Sequence, residues 1–525
     1  MANNTILAQE QWDRYTYVRD MGHLAFVEKA DKCSSFVAGE QWDPAVLAKL
    51  KSQRRPGLTL NKTFITLQSV LGEQIDTRSE IAFRARFGAP PGNAETLTKL
   101  FRYISDNQQL NWKRTDVFCD GAITGRGYYD VRMDFSTNVT GDIVISVLNP
   151  KNVMPDPDAT DYNPAEWGDV IVTSWLSPND IALLYDEKKA KMLAQRGTNE
   201  YAFGYDSIDE RRDRFGGRII VPADSRASSA TNVTRSIRVI DRQHRQLSKV
   251  KFFVNLKTGD KEPIPSGWTD EQITEVVQRT GVMVVEELAK RVRWTVTADD
   301  VVLHDDWSPY NEFTVVPYFP YFKYGKTVGL VEGLLDPQEL LNKTTSQELH
   351  VVNTMANSGW KIRSGALVNM EVEELEERGA ETGLVLEVNG DPEKDAVKIA
   401  PNQIPQGLDR LSFKAESYIK AISGRGDNQL GLTRPDQSGK LAEEANKSSD
   451  ATLRMSFDAL ERTDWLLANV ILGYIQTYYT DPRIMHVTHS DLTGDQDTIS
   501  INTPDPEDNS KILNDLSLGE YDVVV

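Results

Sequence analysis

The sequence is short of the residues on which cross-linked, membrane-spanning and metal-binding proteins depend. It has two cysteines, Cys33 and Cys119, and six histidines in 525 residues. Two cysteines cannot form a disulfide framework or a four-cysteine zinc site. No apolar run approaches the roughly 18 residues that a bilayer-spanning helix needs. The first twenty residues have neither a basic nor an apolar segment, so we expect no secretory signal and no membrane partner.

Basic side chains are also scarce relative to acidic ones. The chain has 59 lysines and arginines against 78 aspartates and glutamates, which gives a formal net charge of −19. A protein that grips nucleic acid over a broad surface needs clustered lysine and arginine at the phosphates, so the charge argues against that class. Acidic charge also keeps a protein soluble, so the charge alone does not assign a function.

No pattern of catalytic or metal-binding residues is complete. The aspartates of residues 156–161 begin like a calcium loop, but its sixth and twelfth positions hold Asp161 and Trp167 where Gly and Glu are needed, which favours a turn. The histidines of residues 486–489 fall on opposite faces of a predicted strand. The four aspartates of residues 298–307 lack partners for a nuclease centre, and no nucleophile elbow occurs. We therefore expect no catalytic residue, no metal and no cofactor.

Hydrophobic periodicity in the first two thirds of the chain predicts an α+β protein. Residues 204–235 are rich in Arg, Asp, Ser and Gly and predict a mobile loop. Predicted helices cover 7–36, 93–124 and 178–195, and predicted strands cover 169–176, 236–242, 249–256 and 282–303.

The pattern changes near residue 330, where a helix over 334–357 has a middle, "NKTTSQE", that is polar on every face. Such a helix bridges partners or is poorly stable alone. A small strand-rich module follows, then a second helix at 404–423. Residues 440–480 predict a single helix of roughly 60 Å. Two antiparallel helices with a small module at their tip form a stalk, whose polar surfaces suit neighbours that are copies of the chain in a ring.

The loop between the last two helices, "GRGDNQLGLTRPDQSG" (424–439), has a mixed charge and several glycines. It contains an adhesion-like tripeptide, which has meaning only in a secreted protein. It is not a phosphate-binding loop, because the first glycine position holds Arg434 and the residue after Lys440 is Leu441. Its glycines permit several backbone shapes. It is either a solvent-exposed connection or a segment that touches a ligand.

Four segments of the chain resemble the portal proteins of tailed bacteriophages, in the branch typical of short-tailed phages. They include "DGAITGRGYYDVRMDF" (120–135) and "LVEGLLDPQELLNKTTSQELH" (330–350), together with residues 36–74 and 147–181. Their order and spacing are specific to the family, and the resemblance covers most of the chain.

The resemblance implies a ring, usually of twelve subunits, at one vertex of the capsid, through which DNA is packaged and ejected. It also implies that the crown is absent or truncated, because the family usually continues past the final "YDVVV". The implied parts are the wing (1–333), the stem helices (334–357 and 404–423), the clip (358–403), the tunnel loop (424–439), the long helix (440–480) and wing or crown-base strands (481–525).

Two sets of side chains acquire roles from the resemblance. In the tunnel loop, basic residues would touch phosphates while acidic ones limit how tightly. In the clip, an acidic run lines the opening or meets a basic partner; the alternative is a solvated helix face. The implied DNA-facing residues are Arg425, Asp427, Asn428, Gln429, Arg434, Asp436 and Lys440, and the implied clip docking residues are Glu371, Glu373, Glu374, Glu376 and Glu377.

The implied partners are further copies of the chain, double-stranded DNA, the major capsid protein, the scaffold, the terminase large subunit and a tail adaptor or head-completion protein. The implied location is the capsid vertex of the virion, after assembly in the bacterial cytoplasm. The alternative is another structural ring or connector of a virion or a secretion machine, and a metal-dependent nuclease is the least favoured.

Overall fold

A computed structural model gives the fold of this chain as a mixture of helices and sheets, which confirms the α+β class. The chain divides into two compact units. The first contains Met1–Ala30, Thr77–Val328 and Ser456–Val525, and the second contains Asp31–Asp76 and Gly329–Met455. The structure describes residues 2–525 apart from 87–89, 137, 196–201, 204–236, 255–260, 265–272, 275, 278–281, 357–358, 380, 382, 400–406, 426–438, 481, 489–495, 505–511, 515 and 517–519.

The helices and strands of the described residues are as follows. The helices are Ala2–Val18, Leu24–Val37, Pro44–Ser52, Lys62–Asp76, Pro91–Asn107, Leu110–Thr124, Pro178–Leu184, Glu187–Gln195, Leu335–Ala356, Val372–Arg378, Pro392–Asp395, Leu408–Ser423 and Gly439–Tyr478. The strands are Ala82–Ala85, Gly127–Asp134, Asp142–Leu148, Val153–Pro155, Asp169–Leu176, Ile237–Val254, Lys261–Pro263, Met283–Ala298, Val301–Trp307, Val315–Tyr318, Phe322–Lys323, Lys326–Thr327, Trp360–Ile362, Ala396–Lys398, Arg483–Thr488, Gln496–Ile501, Thr503–Pro504, Ile512–Leu513 and Tyr521–Val524. Within this part of the chain, no helix is both long and apolar enough to cross a bilayer.

The first unit is built around an antiparallel sheet covered by helices on both faces. Alternation along the strands sends successive side chains to opposite faces. One face packs Ile171 and Ile240 against Tyr15 of the first helix. The other face packs Val239 against Ile181, which lies on the helix Pro178–Leu184. The strand order is Val153–Pro155, Asp169–Leu176, Ile237–Val254, Met283–Ala298 and Val301–Trp307, with Lys261–Pro263 also paired to the third.

Arginine–carboxylate pairs fasten the first helix to this sheet. Arg14 donates two hydrogen bonds of 2.8 Å to the two oxygens of Asp169, and Arg242 donates a third, also of 2.8 Å. Burial would raise the pKa of Asp169, but the two guanidiniums outweigh burial and hold it below its usual range. Arg14 also reaches Asp156 at 3.1 Å. Asp156 accepts the backbone N–H of Gly168 at 2.9 Å, so residues 156–168 form the turn that the sequence favours.

Five elements differ from the sequence predictions. The predicted helix 93–124 is two helices, because Gln109 between them adopts a left-handed backbone with φ 53°. The predicted helix 7–36 is interrupted at Arg19–His23, where Gly22 has φ 127°. The predicted helix 178–195 is two helices, Pro178–Leu184 and Glu187–Gln195.

The strands differ as well. The two predicted strands 236–242 and 249–256 form one strand, Ile237–Val254. The predicted strand 282–303 is two strands, Met283–Ala298 and Val301–Trp307, separated at Asp299, which has φ 52°. The predicted loop 204–235 lies outside the described residues.

The helix Gly439–Tyr478, called the long helix below, is held in the first unit from Ser456 onward. Phe457 stacks on Phe118 with ring centroids 5.6 Å apart. Tyr474 donates a hydrogen bond of 3.0 Å from its hydroxyl to the carbonyl of Val131. These contacts join the helix to the core of the unit.

A buried ion pair adds to this packing. Arg114 lies 2.5 Å from Asp464, and the two side chains are 8% and 3% exposed. Arg114 also donates to the hydroxyl of Ser79 at 3.1 Å. Burial raises the pKa of Asp464 to about 7, against the opposing effect of Arg114. Each charge therefore depends on the other for compensation.

We expect Asp464→Asn to destabilise the first unit by about 3–5 kcal/mol, since it leaves the buried charge of Arg114 uncompensated. The double variant Arg114→Met with Asp464→Leu should lie close to the parent, because it removes both charges together. Amide hydrogen exchange in Leu110–Thr124 measures the effect.

The control is Arg462→Ala, whose pair with Asp161 is 51% exposed on both sides. An exposed pair contributes about 0–1 kcal/mol, so exchange should change little. Equal exchange rates in Asp464→Asn and the control would show that the buried pair is not a stabilising contact.

Candidate functional site

The paired helices Leu335–Ala356 and Leu408–Ser423, called the polar helix and the return helix, form the centre of the second unit. Their shared core contains Leu334, Leu341, Ala415 and Ile419. They run antiparallel: Ser412 donates to Glu348 at 2.9 Å, while Ile422 at the far end of the return helix lies beside Gly333. The pair is therefore a helical hairpin, with the small module of residues 359–399 between its helices in sequence.

One face of the polar helix carries buried polar side chains that bind a single extended segment. The backbone N–H groups of Lys62, Leu60 and Leu58 donate to Gln338 at 3.1 Å, to Asn342 at 2.9 Å and to Ser346 at 2.9 Å. The three side chains are 0%, 1% and 5% exposed. We call these three contacts the ladder.

The spacing of the ladder follows from the helix repeat. Gln338, Asn342 and Ser346 are four residues apart, so they lie on one face, with successive side chains roughly 6.0 Å apart along the axis. They meet the N–H groups of alternate residues in the segment. At its end the segment turns, because Lys62 also donates its N–H to the carbonyl of Leu60 at 2.8 Å.

The amide groups of the ladder are satisfied on both ends. Gln338 donates to the carbonyl of Leu60 at 2.6 Å, and Asn342 donates to the side chain of Gln41 at 2.6 Å. Arg55 extends the contact to Gln347 at 2.7 Å. The prediction that the polar face is satisfied by neighbouring subunits is thus wrong for these side chains, which find their partners within one chain.

The return helix ends at Ser423, and the 424–439 loop begins at Gly424. Gly424 has φ 67°, a left-handed conformation that favours glycine at a helix end. The N–H of Arg425 donates to the hydroxyl of Ser423 at 3.3 Å. The guanidinium of Arg425 is buried and pairs with Glu73. The first residue of the implied DNA-facing set therefore lies at the anchored base of the loop.

The rest of the implied DNA-facing set is not placed by the structure. The backbone of Lys440 belongs to the first turn of the long helix, and its side chain is outside the described residues. The other members, also outside the described residues, are Asp427, Asn428, Gln429, Arg434 and Asp436.

The small module presents the acidic run on the helix Val372–Arg378, called the acidic helix. Its core contact is Leu375, which is 5% exposed. Arg378 binds Glu374 at 2.8 Å and Glu381 at 3.0 Å, and its hydrogen bonds to both glutamates raise its pKa. The remaining acidic side chains point outward with no ion pair in the part of the chain that the structure describes; they are Glu371, Glu373, Glu376 and Glu377.

The acidic helix is held in place by the strand pair of the module. Trp360–Ile362 pairs antiparallel with Ala396–Lys398. The indole N–H of Trp360 donates to the carbonyl of Gly379 at 3.1 Å, directly after the helix. The glutamates thus lie on a folded element, where they are all exposed around the buried side chain of Leu375.

The aspartates of residues 298–307 have structural roles. Arg293 binds both oxygens of Asp305, at 2.9 and 2.6 Å. Asp299 accepts the backbone N–H groups of Ala202 and Phe203 at 2.9 and 3.2 Å. Among the described residues, no group of three or more His, Cys, Asp or Glu side chains is arranged to hold a metal ion.

Sequence reasoning did not find the ladder or the Arg425–Glu73 pair. The segment around Leu58 has no helix or strand assignment of its own, so local periodicity gives no sign of it. A signal existed in the polar helix, because Gln338, Asn342 and Ser346 recur at intervals of four. That spacing identifies a polar stripe on one face, although not its partner.

Comparison with known protein families places nearly the whole chain in one match. Residues 12–525 match the family described as phage P22-like portal protein. The match contains the polar helix, the acidic helix, the loop and the long helix. No curated protein matches the chain.

We expect Asn342→Leu to weaken the ladder, because it leaves the N–H of Leu60 and the buried amide of Gln41 without their partner. A buried group left unsatisfied costs about 1–3 kcal/mol. The amide of Leu60 should therefore exchange roughly 5- to 150-fold faster. Lys343→Leu, at the next position but with a side chain that is 61% exposed, is the control and should leave that amide unchanged. Equal exchange in the two variants would contradict the role given to Asn342.

Proposed function

Because the chain belongs to the family of P22-like phage portal proteins, we propose that it assembles into a ring of twelve copies at one vertex of the capsid. Viral DNA enters and leaves the capsid through the channel of this ring. The family match over residues 12–525 carries the proposal. Portal proteins are structural, and the ring acts by shape and charge. The match favours this role over another connector of a virion or a secretion machine.

We propose that the following segments of the chain form the parts of the portal. The polar helix and the return helix form the stem, which lines the channel between the other parts. Residues 358–403 form the clip, and residues 424–439 form the tunnel loop. The wing consists of residues 1–333 with the last strands of the chain, and it faces the major capsid protein and the scaffold.

The ladder supports the stem assignment. A stem that surrounds moving DNA has to keep its shape under load from one side. The ladder holds the polar helix against the segment 58–62 by hydrogen bonds from backbone N–H groups of the segment to side chains of the helix. These bonds fix the position of the segment along the helix. Lys62 adds a contact of 3.2 Å to Glu416 on the return helix. These contacts lie within one copy, so the stem of each subunit is held together before subunits assemble.

The tunnel loop leaves this braced stem at Arg425. Arg425 would reach a phosphate only by leaving Glu73, so we propose that Arg434 and Lys440 make the first contacts with DNA. Contacts to the phosphate backbone carry no base information, which suits a channel that passes every part of a genome. Asp427 and Asp436 limit the net attraction, so the DNA is touched without being held.

The acidic helix gives the clip a surface for partners. Glu371, Glu373, Glu376 and Glu377, at the start of this helix and along it, would meet a basic surface, first on the terminase large subunit and then on the tail adaptor. Charge complementarity speeds encounter and suppresses wrong partners more than it adds affinity. This suits a site that exchanges one partner for another.

We expect Arg434→Ala with Lys440→Ala to change the amount of DNA retained per filled head while the rings stay assembled. The difference from the parent should be greatest at low salt and shrink at high salt, because salt screens the phosphate contacts that the parent makes. It should not depend on the DNA sequence. The measurement is DNA per head after packaging into empty capsids.

The matched control is Arg54→Ala with Lys51→Ala, two basic side chains of the same unit that lie outside the loop. The control should package like the parent. Parental retention in the loop variant would show that the tunnel loop does not face DNA, even though the family assignment would stand.

We expect replacement of the four unpaired glutamates of the acidic helix by glutamine to leave rings intact and to weaken docking of the terminase or of the adaptor. Glu374→Gln is the control, because that side chain is already paired with Arg378 and should change docking little. Docking is measured by co-sedimentation with each purified partner at two salt concentrations. Unchanged docking of both partners would leave the acidic run as a solvated helix face.

A further inference from the structure

The central sheet of the first unit extends into an arm. The strands Ile237–Val254 and Met283–Ala298 remain paired along residues 246–251 and 286–291. Two flanking strands end before this region, at the pairs Asp169↔His244 and Arg293↔Trp307. The strand Lys261–Pro263 pairs beyond it, with Phe252–Val254. We call residues 246–251 and 286–291 the ribbon. Six residues per strand give it a length of roughly 20 Å.

A two-stranded ribbon is marginally stable by itself, because one face cannot bury enough apolar surface. Leu247 and Leu288 lie on the same face as diagonal neighbours, since Leu247 pairs with Lys290 and Leu288 pairs with Lys249. They are 62% and 67% exposed. Two large apolar side chains side by side on a projecting arm form a surface that gains free energy when a partner covers it.

The same face is positively charged in an acidic chain. By register it carries three lysines, Lys249, Lys251 and Lys290, against one glutamate, Glu286. Lys249 and Glu286 are 3.7 Å apart, and their side chains are 73% and 51% exposed, so their pair contributes little. The whole chain has 78 acidic and 59 basic side chains. The ribbon thus has the opposite sign to the chain as a whole.

We propose that the ribbon docks on a neighbouring copy of this chain, with Leu247 and Leu288 packed against it and with Lys249 and Lys290 facing its acidic surface. This inference rests on the proposed ring. Copies of a chain with net charge −19 repel one another, so their contacts need local positive charge. An arm that reaches from one copy to a different surface of the next makes a head-to-tail contact, which is the type of contact that closes a ring.

The direct test is photo-crosslinking in the full chain. p-Benzoylphenylalanine in place of Leu288 should crosslink two copies in assembled rings, and the covalent dimer is read by mass spectrometry. The same amino acid in place of Leu183, which is 85% exposed in the same unit, is the control and should give far less dimer. Crosslinks from position 288 only within its own chain, or only to capsid protein in assembled heads, would overturn the inference.

Substitution gives a second readout. Leu247→Ser with Leu288→Ser should raise the subunit concentration needed for half-assembly by tenfold or more, because each buried leucine adds on the order of tenfold to an association constant. Leu183→Ser with Leu184→Ser removes two neighbouring leucines, 85% and 62% exposed, and should assemble like the parent. Native mass spectrometry measures both.

These experiments distinguish an error in the proposed function from an error in the proposed ribbon contact. A parent chain that forms no ring contradicts the proposed function. Rings that form equally with parent, ribbon variant and control contradict the ribbon contact while the portal role stands. Loss of assembly in the ribbon variant alone, with dimers from position 288, supports both.

Discussion

The buried polar side chains of the polar helix need hydrogen-bond partners, and the rest of the second unit depends on how these partners are supplied. A buried polar group without a partner costs about 1–3 kcal/mol, so Gln338, Asn342 and Ser346 can face inward only where donors are supplied. The segment 58–62 supplies them as backbone N–H groups, and that segment leads directly into the helix Lys62–Asp76. That helix contributes Glu73, which pairs with Arg425 at the base of the loop. The polar helix is thus connected, through this segment and the helix Lys62–Asp76, to the point where the loop begins.

The same requirement acts on charge in the first unit. Its arginines are used inside: Arg14 and Arg242 bind Asp169, Arg132 binds Asp130 and Asp241, and Arg114 binds Asp464. These four arginines are matched by four aspartates, so the internal pairs leave the chain's excess of acidic side chains unchanged at the surface. Surfaces that keep several lysines, such as the ribbon, differ in charge from that acidic background. In the proposed ring of acidic copies, such surfaces would determine where one copy can approach the next.

Sequence patterns gave the α+β class, the polar helix, the return helix and the long helix, because each depends on local periodicity. They could not give the ladder or the Arg425–Glu73 pair, whose partners are separated by nearly 300 and by 352 residues. The break at Gln109 was missed for a different reason: apolar spacing persists on both sides of a left-handed residue. The acidic run forms an exposed helix, in which the pairing of Glu374 with Arg378 distinguishes that side chain from its neighbours; periodicity alone does not show this pairing. The family resemblance rested on the order of whole segments, which explains why it survived errors in single elements.

The ladder also fixes the length of chain between its contacts. Three side chains on one helix face, roughly 6.0 Å apart along the axis, each meet an N–H group two residues from the next. The tight turn in which Lys62 donates its N–H to the carbonyl of Leu60 ends the series, because the chain there enters the helix Lys62–Asp76. Insertion of one residue between Leu58 and Lys62 would move an N–H group out of register with its acceptor side chain, so the chain length there is as strictly determined as the residues that it binds.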